Sequence, residues 1–574
     1  MERLSITLIS SAILFALQGN GAWAQRLPPF TTPERPGEDR REQLPEIPLK
    51  KPSPLPQLTP PPPPGPKAPS LSSQLQVLVK KIKLTGNRVI SNEELGKVTA
   101  PYENRTLSSE DLQSLRQALT VYYINKGYVN SGAVIPDQAV KEGVIEIRIV
   151  EGKLSDIELS GNDRLRDSYI EKRLRLGSEE ALNLHVLQER MQLLDQDRRI
   201  ERLNAQLKPG LQAGEGVLQV LVEETRPYEL GVSFNNHYST SVGELRGEIY
   251  AGHYNLTGFG DVLTARYGIT EGADDVGALY SFPFTARDTR LSLYFDRSDA
   301  DIVEEPFDRF DISSETETYG VSLSHSFYRT PRRELLAELV FERRQSQTFL
   351  LGEPFPFSLG TEDEDGESEV SVLRLRQEWV DRSPNQVVAL RSSLSFGLNV
   401  LDATDNAGNI PDGQFFAWLG QFQWVRRLWD TDNQTLIRGE LQWAADPLLP
   451  LEKLGVGGAR TVRGYRENLL VRDRGFVGSI EFRFPLFRLP LPFVTKEGGQ
   501  VQLATFYDFG WSENVEESSP NPRTISSAGL GLRWDPHPKI HSEIYWGFAF
   551  RNVNTQEKGL QDDGVHFALD VRLF

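Results

Sequence analysis

Apolar and polar residues alternate one by one from Tyr228 to the C-terminus. Within Tyr228–Phe234, the even-numbered residues are apolar and the residues between them are polar or small. A period of two is typical of a β-strand with one apolar face. The same pattern recurs in sixteen segments, which lie near 228–234, 245–253, 262–269, 276–284, 290–296, 319–327, 334–342, 370–380, 387–400, 415–425, 435–444, 476–484, 500–510, 527–534, 540–550 and 565–573.

The connections between these segments predict a closed antiparallel barrel that spans a membrane. An even number of strands places both chain ends on the periplasmic side, so every second connection should be a short turn. Brief connections do occur at that spacing, near Asn255–Gly260, Thr285–Thr289, Tyr328–Arg333, Asp381–Gln386 and Asp535–Lys539. The alternate connections are expected to be the longer, extracellular ones.

Two stretches stand out among the connections. The acidic run Glu362–Glu369 falls in the fourth outer connection, outside the cell. It could repel anions or solvate a loop tip, and we favour the second interpretation. Pro485–Gly499 is a long stretch on the side where only short turns are expected.

Charged residues on the polar face indicate a water-filled interior. Arg374, Arg376 and Glu378 alternate with apolar residues, and sixteen strands enclose a lumen wide enough for water. A soluble β-sandwich would bury that face, so we disfavour it. The mean hydropathy is −0.40 and no apolar run of about 18 residues follows the N-terminus, which excludes a helical membrane protein. The chain ends in Phe574, and an aromatic C-terminus is typical of outer-membrane barrels.

The N-terminus carries export features. Residues 1–24 combine Arg3, an apolar stretch and an Ala-Trp-Ala cleavage site, which together predict a signal peptide. Residues 25–72 contain 16 of the 36 prolines. Proline removes a backbone donor and fixes φ, so this segment is predicted to be an extended periplasmic linker.

Residues 75–226 contain an internal repeat. The segment Val79–Asn87 is echoed by Leu154–Asn162, and Gly143–Glu151 is echoed by Gly216–Glu223. Each copy, 75–152 and 153–226, reads as strand, two helices and two strands. In the first copy, Ser108 or Ser109 is predicted to cap the start of a helix and Gly127 to end it. The apolar face of this helix consists of Leu112, Leu115, Leu119, Tyr122 and Tyr123, and that of the matching helix in the second copy consists of Leu184, Leu187, Met191 and Leu194.

Composition narrows the possible functions. The 574 residues include 63 basic and 80 acidic ones, for a formal charge of −17. This acidic excess argues against a nucleic acid partner, which would require clustered Lys and Arg. There is no cysteine, and the seven histidines are scattered without an HExxH motif or a nucleophile elbow. We therefore expect no catalytic residues, no metal and no cofactor.

The repeat resembles POTRA domains, the periplasmic modules of the Omp85 superfamily. The resemblance rests on the opening strand with Gly-Asn, on Lys126-Gly-Tyr128 after the second helix, and on the closing Val-Glu. It implies that an open sheet edge can accept a strand from an extended polypeptide. A plain spacer remains the alternative.

A glycine-rich connection, residues 445–475, follows the eleventh predicted strand. It is not a phosphate loop, because neither Lys-Ser/Thr nor a helix follows its glycines. Val462, Arg463, Gly464 and Tyr465 resemble the VRGY signature of the sixth extracellular loop of Omp85 proteins. The resemblance implies a loop that folds back into the barrel.

The thirteenth predicted strand resembles the F-x-D-x-G motif of the same superfamily. Its alternation predicts that Phe506, Asp508 and Gly510 face the lumen. Arginine can bind a carboxylate with both arms of its planar guanidinium group. We therefore predict an Arg463–Asp508 ion pair that holds the loop tip inside the barrel.

The whole arrangement resembles two-partner secretion transporters, the TpsB family of hemolysin secretion and activation proteins. The resemblance implies an outer-membrane translocator without ATP, which captures an unfolded TpsA-like exoprotein with an N-terminal secretion domain. It further implies contact with outer-membrane lipid, insertion by the barrel assembly machinery, and a monomer. The alternatives are an outer-membrane insertase of the BamA type, or a passive porin with periplasmic adaptors.

Overall fold

The computed structural model describes residues 58–59, 76–178, 180–358, 360–361, 366–429, 431–489, 499–515, 519–553 and 559–574. The chain divides into two units, of which one is Ser53–Thr225 and the other contains Arg226–Phe574. The predicted signal peptide 1–24 lies outside the described residues, as does the linker 25–72 apart from residues 58 and 59. No helix among the described residues is long and apolar enough to cross a membrane.

The unit Ser53–Thr225 contains both copies of the repeat. Its elements, in chain order, are β1 (Leu58–Thr59), β2 (Gln76–Val79), β3 (Lys81–Thr85), α1 (Asn92–Thr99), β4 (Arg105–Ser108), α2 (Ser109–Asn125), β5 (Gly132–Val134), β6 (Val144–Val150), β7 (Lys153–Ser160), α3 (Asp167–Arg175), α4 (Leu184–Asp195), β8 (Ile200–Pro209) and β9 (Glu215–Glu224).

The first copy is built on the sheet β3–β6–β5, with β3 parallel and β5 antiparallel to β6. The predicted order of strand, two helices and two strands is present. A separate antiparallel pair, β2 with β4, was not predicted. These strands are four residues each, too short for a periodic pattern to stand out.

Helix α2 begins and ends where the sequence signals indicate. Ser108 caps it, accepting a hydrogen bond from the backbone N–H of Asp111, whose carboxylate accepts one from the backbone N–H of Ser108. Gly127 adopts a φ of +94° just past its end. The predicted apolar stripe packs on the sheet through Leu115, Leu119 and Tyr123, all fully buried. Leu112 and Tyr122 lie partly buried at the edges of that stripe.

The second copy has the sheet order β1–β8–β9–β7. Helix α4 buries Leu187, Met191 and Leu194 against this sheet, with Leu184 half-buried at its start. The two residues of β1, which belong to the proline-rich segment, pair in parallel with Ala205 and Gln206 of β8. One edge of this sheet therefore carries a short strand from the N-terminal segment of the same chain.

The unit beyond Arg226 is a closed antiparallel barrel, and the predicted number of sixteen strands is confirmed. A two-residue strand, β17 (Glu353–Pro354), also pairs with β16. The barrel strands are β10 (Tyr228–Asn235), β11 (Arg246–His253), β12 (Val262–Ile269), β13 (Ala273–Pro283), β14 (Arg290–Asp301), β15 (Ile312–Arg329), β16 (Arg333–Leu350), β18 (Glu367–Arg382), β19 (Gln386–Leu398), β20 (Phe416–Arg427), β21 (Gln434–Ala444), β24 (Arg474–Arg488), β25 (Gln500–Glu513), β26 (Thr524–His537), β27 (Ile540–Ala549) and β28 (Val565–Arg572).

The barrel closes within one chain because β10 pairs with both β11 and β28. Side chains alternate between the two faces as the sequence predicts. On β25, Tyr507 is 44% exposed on the outer face, whereas the neighbouring Asp508 is fully buried inside. Phe574 follows the end of β28, and its ring lies 5.7 Å from that of Tyr228 at the start of β10.

The lengths of the connections agree with the sequence interpretation except at one outer connection. The five predicted turns join strands as expected. However, the second outer connection, residues 270–272, is only three residues long, although a longer one was expected. Here the strand pairing of β12 with β13 continues almost to the turn, since Ile269 pairs with Asp274.

The acidic run Glu362–Glu369 is not wholly a loop. Residues 362–365 lie outside the described part, but Glu367 and Glu369 belong to β18. The strand extends this far because Glu369 accepts a hydrogen bond from Arg343 at 2.5 Å and Glu367 accepts one from Gln345. The stretch Pro485–Gly499 begins as strand, since β24 continues to Arg488, and residues 490–498 lie outside the described part.

A buried carboxylate in the second copy makes its stability dependent on pH. Burial of Asp197 would raise its pKa, but the charge of Arg199 and hydrogen bonds from Tyr169 and Arg199 outweigh burial and lower the pKa to about 2. Because the folded pKa lies below the unfolded value, the stabilisation is complete above about pH 4 and is lost as pH falls towards 2. The difference amounts to about 2 kcal/mol.

We therefore expect wild-type protein to lose about 2 kcal/mol in this unit between pH 4 and pH 2, and Asp197→Asn to lose much less. Cleavage within residues 153–224 by pepsin in increasing urea measures this on the full chain. Asp163→Asn, at an exposed aspartate of the same unit, is the matched control and should behave as wild type. An equal pH dependence in Asp197→Asn would contradict the assignment.

Candidate functional site

The connection between β21 and β24, residues 445–473, turns into the barrel. It contains a small hairpin formed by β22 (Leu454–Val456) and β23 (Leu470–Arg472). We call residues 457–468 beyond this hairpin the loop tip. The predicted inward segment 445–475 thus corresponds to this loop, apart from the first two residues of β24.

Arg463 in the loop tip contacts Asp508 on the barrel wall. Its Nε donates to Asp508 Oδ2 at 2.8 Å and its Nη2 donates to Oδ1 at 2.9 Å. The backbone N–H of Arg463 also donates to Oδ2, at 3.1 Å. Both side chains are buried, with 3% and 0% exposed. The guanidinium group therefore binds the carboxylate with two parallel hydrogen bonds, a geometry that arginine favours.

A second carboxylate completes the surroundings of Arg463. Nη1 donates to Glu481 on β24, which also accepts from Arg483 at 2.6 Å and from the Tyr545 hydroxyl at 3.2 Å. The guanidinium carbon lies 3.6 Å from the ring centre of Phe506. We call Arg463, Asp508 and Glu481 the tip anchor. Removing one partner of such a buried pair costs about 3–5 kcal/mol, and less in a wet lumen.

The other predicted motif residues pack around this anchor. Val462 is fully buried beside Gly510, where an added Cβ would lie 2.9 Å from Val462 Cγ2 and would overlap Val456. A larger residue than glycine would therefore push the loop tip off the wall. Gly510 is required by this close approach rather than by its own backbone conformation.

Gly464 lies against the backbone of β27. Its φ is +91°, and a Cβ there would be 2.7 Å from the carbonyl oxygen of Gly547. Its N–H donates to Nε2 of the buried His566 at 3.1 Å, so that nitrogen must be unprotonated. Tyr465, the last residue of the signature, donates through its hydroxyl to the Ser526 carbonyl at 3.0 Å.

Arg466 fastens the tip to the extracellular loops. It donates to both oxygens of Asp562, at 2.6 and 2.7 Å, and to Glu304 at 2.5 Å. Glu304 lies between β14 and β15, and Asp562 between β27 and β28. Sequence reasoning singled out none of these three residues.

The predicted lumen charges are inside the barrel, and each has an ionic partner. Arg374 donates to Glu342 at 2.8 Å, and the Arg376 guanidinium lies 3.5 Å from Glu338. Glu378 accepts from Arg391 at 2.9 Å. Arg374 also makes an ionic contact with the loop. The ionic contacts described for Arg376 and Glu378 involve no residue of the loop.

Comparison with known proteins indicates what this barrel and loop are similar to. The family model described as haemolysin secretion/activation protein ShlB/FhaC/HecB matches residues 214–534. A model of the POTRA domain, ShlB-type, matches residues 77–152. The outer membrane transporter CdiB of Dickeya dadantii (strain 3937) is 23% identical over 473 residues, which cover 79% of this chain and 80% of that protein.

Two solved structures share the fold. CdiB from Escherichia coli has a TM-score of 0.67 at 21% identity, covering 88% of this chain and 92% of that one. BamA from Haemophilus ducreyi lacking POTRA domains 1–3 has a TM-score of 0.51 at 14% identity, covering 87% of this chain and 100% of that one.

Weakening the tip anchor should release the loop tip from the wall. Asp508→Asn keeps the size of the side chain but removes its charge. Ser527 on β26 is fully buried and pairs with Asp508, so a cysteine there reports on the tip in a chain that otherwise has none. We expect a charged maleimide to label Ser527→Cys roughly tenfold faster or more in Asp508→Asn, since 1.4 kcal/mol already corresponds to tenfold.

The control for this measurement is Asp308→Asn, which removes an exposed carboxylate of an extracellular loop. This variant should label at the rate of the reporter alone. Equal rates in Asp308→Asn and Asp508→Asn would mean that the ion pair does not hold the tip.

Proposed function

The chain belongs to the haemolysin secretion/activation protein family ShlB/FhaC/HecB, and we propose that it exports an unfolded exoprotein from the periplasm through its barrel. It is an outer-membrane protein of the two-partner secretion type, with its POTRA region at the N-terminus. The observation that carries the proposal is the tip anchor: a closed barrel holds a loop in its lumen by a buried, non-covalent ion pair.

The two POTRA-like units would capture the exoprotein. The sheet of the first copy ends at β5, a three-residue strand, and that of the second copy ends at β7 on one side. A sheet edge presents unpaired N–H and C=O groups, which bind an extended chain regardless of its side chains. This suits a substrate that arrives unfolded.

The lumen would provide the path across the membrane. Its wall carries paired charges such as Arg374 and Glu342, and a polar wall of this kind suits a water-filled path. In the resting state, the loop occupies part of that space. Passage of a polypeptide then requires the loop to move, and the ion pairs that hold it can exchange for water or for groups of the passing chain. The proposed process forms no covalent bond, so we assign the protein no catalytic residue, metal or cofactor.

We propose the following partners. The exoprotein is TpsA-like and carries an N-terminal secretion domain, which the POTRA-like units would recognise. The outer face, with side chains such as Tyr507, fits outer-membrane lipid, and the barrel assembly machinery would insert it. The pairing of β10 with β28 closes the barrel within one chain and supports a monomer. The net charge of −17 disfavours nucleic acid.

The alternatives are less well supported. An insertase of the BamA type would share the barrel, but the likeness to BamA is one of fold, whereas the family model matches residues 214–534 directly. A passive porin has no need of a loop anchored by an arginine that is buried against two carboxylates, because burial of these charges costs desolvation energy.

Arg463→Ala should reduce export while the barrel still inserts, because the variant removes the cation that Asp508 binds and leaves the tip without its anchor. The measurement is the amount of exoprotein in the medium against the amount retained, in cells that produce this protein together with a TpsA-like exoprotein that the wild type exports. Arg309→Ala, at an exposed arginine of an extracellular loop, is the control and should export as wild type.

Normal export by Arg463→Ala would remove the proposed role of the loop. A second measurement separates the insertase: depletion of the protein should leave unrelated outer-membrane barrels at their usual levels. A general fall of those barrels would favour the insertase.

A further inference from the structure

The base of the loop contacts a different part of the barrel wall from its tip. We call residues 448–452 the loop base. Its three leucines are fully buried inside the barrel, where they form one apolar cluster with wall residues. The members of this cluster are Leu448, Leu449 and Leu451 of the base, with Val370 and Val372 of β18, Ala444 of β21, and Phe415, Ala417 and Val515.

Glu452 ends the loop base, and its carboxylate lies between two arginines of the wall. Its Oε1 accepts from Arg344 of β16 at 2.9 Å and from Arg374 of β18 at 2.8 Å. Its Oε2 accepts from Arg374 at 3.0 Å. The side chains of Glu452 and Arg344 are 6% and 3% exposed. Arg344 also donates to the backbone carbonyl of Leu451 at 2.9 Å, so the wall holds both the charge and the backbone of the base.

Glu452 adds a carboxylate of the loop to a group of charged side chains on the wall. The wall side of this group includes the cations Arg344, Arg374 and Arg376 and the carboxylates Glu338 and Glu342. Two of these arginines, Arg344 and Arg374, donate to Glu452 of the loop. Buried charges require compensation, so departure of the loop base would take a carboxylate away from two buried arginines.

The ionic contacts of the base and of the tip are made to different strands of the wall. The tip anchor lies on β24 and β25, whereas Glu452 contacts β16 and β18, and three strands separate the two regions around the barrel. The ion pairs of the base include no residue of the tip anchor. Release of Arg463 alone would therefore leave the leucines and Glu452 of the base in the lumen.

We propose that Glu452 is a positioning residue that anchors the loop base to Arg344 and Arg374, so that the loop leaves the lumen in two separable steps, at the tip and at the base. This inference goes beyond the proposed export, since it concerns the loop at rest. Its test requires no exoprotein, so its failure is distinct from a failure of the export proposal.

The experiment uses two single-cysteine reporters in the full-length protein, which contains no cysteine of its own. Ala444→Cys lies fully buried under the loop base, and Ser527→Cys lies fully buried near the tip. Each reporter is combined with Glu452→Gln or with Arg463→Ala, and the rate of labelling by a charged maleimide is measured on purified barrels. We expect Glu452→Gln to speed labelling of Ala444→Cys by roughly tenfold or more. Arg463→Ala should speed labelling of Ser527→Cys but leave Ala444→Cys near its original rate.

Conservative variants distinguish a specific ionic contact from general loosening of the barrel. Glu452→Asp retains the carboxylate and should restore most of the protection of Ala444→Cys, and Asp308→Asn should leave it unchanged. Arg344→Gln removes the cation of the same contact and should have the same effect as Glu452→Gln. If the Glu452→Gln protein fails to insert, Arg344→Gln takes its place in the test.

Either of two results would overturn the proposal. The first is wild-type protection of Ala444→Cys in Glu452→Gln or Arg344→Gln, which would mean that the ionic contact does not hold the base. The second is equal exposure of both reporters in Arg463→Ala, which would mean that base and tip leave as one body.

Discussion

The arrangement of the lumen depends on one constraint: a guanidinium group shielded from water must be paired. Arg463 is 3% exposed, and the wall meets it with the carboxylates of Asp508 and Glu481 and the ring of Phe506. These partners come from neighbouring strands of a closed sheet, so barrel closure is what brings them into one place. In a bilayer the sheet must close, because no water is available to satisfy an open strand edge. A hydrogen-bonded cylinder therefore provides the rigid wall against which a mobile loop can be fastened.

Much of this architecture can be predicted from local pattern. The period of two gives the strands and the inward direction of Asp508, and the spacing of turns gives their number. The helix α2 follows from Ser108 and its stripe of leucines. The ends of the strands are harder to predict from the sequence. The paired strands β15 (Ile312–Arg329) and β16 (Arg333–Leu350) continue beyond the part in which apolar and polar residues alternate, and their side chains there are mostly polar. There, cross-strand pairing of polar side chains sustains the sheet without a hydrophobic signal.

The partners of the loop were harder to foresee. Arg463 and Asp508 were paired because both lie in recognisable motifs. Glu481, His566 and Glu452 are polar residues that belong to no recognisable motif. The hydrogen bonds that link the loop to the wall through their side chains join residues that lie 18, 102 and at least 78 positions apart in the sequence, respectively. The alternation of apolar and polar residues does predict that Glu481 and His566 face the lumen, but it predicts the same for many other residues. The apolar run around Leu448–Leu451, unusual for an exposed loop, was a usable signal for a buried loop base.

The central claim is that a loop anchored in the lumen must leave the wall before a polypeptide can pass. The most direct measurement is export with the tip covalently tied down. Arg466 of the tip contacts Asp562 between β27 and β28, so Arg466→Cys with Asp562→Cys can be linked by a reducible disulfide bond through a short bifunctional thiol reagent, in a chain with no other cysteine. The account predicts that export stops when this bond forms and resumes on reduction. Undiminished export with the bond intact would contradict it.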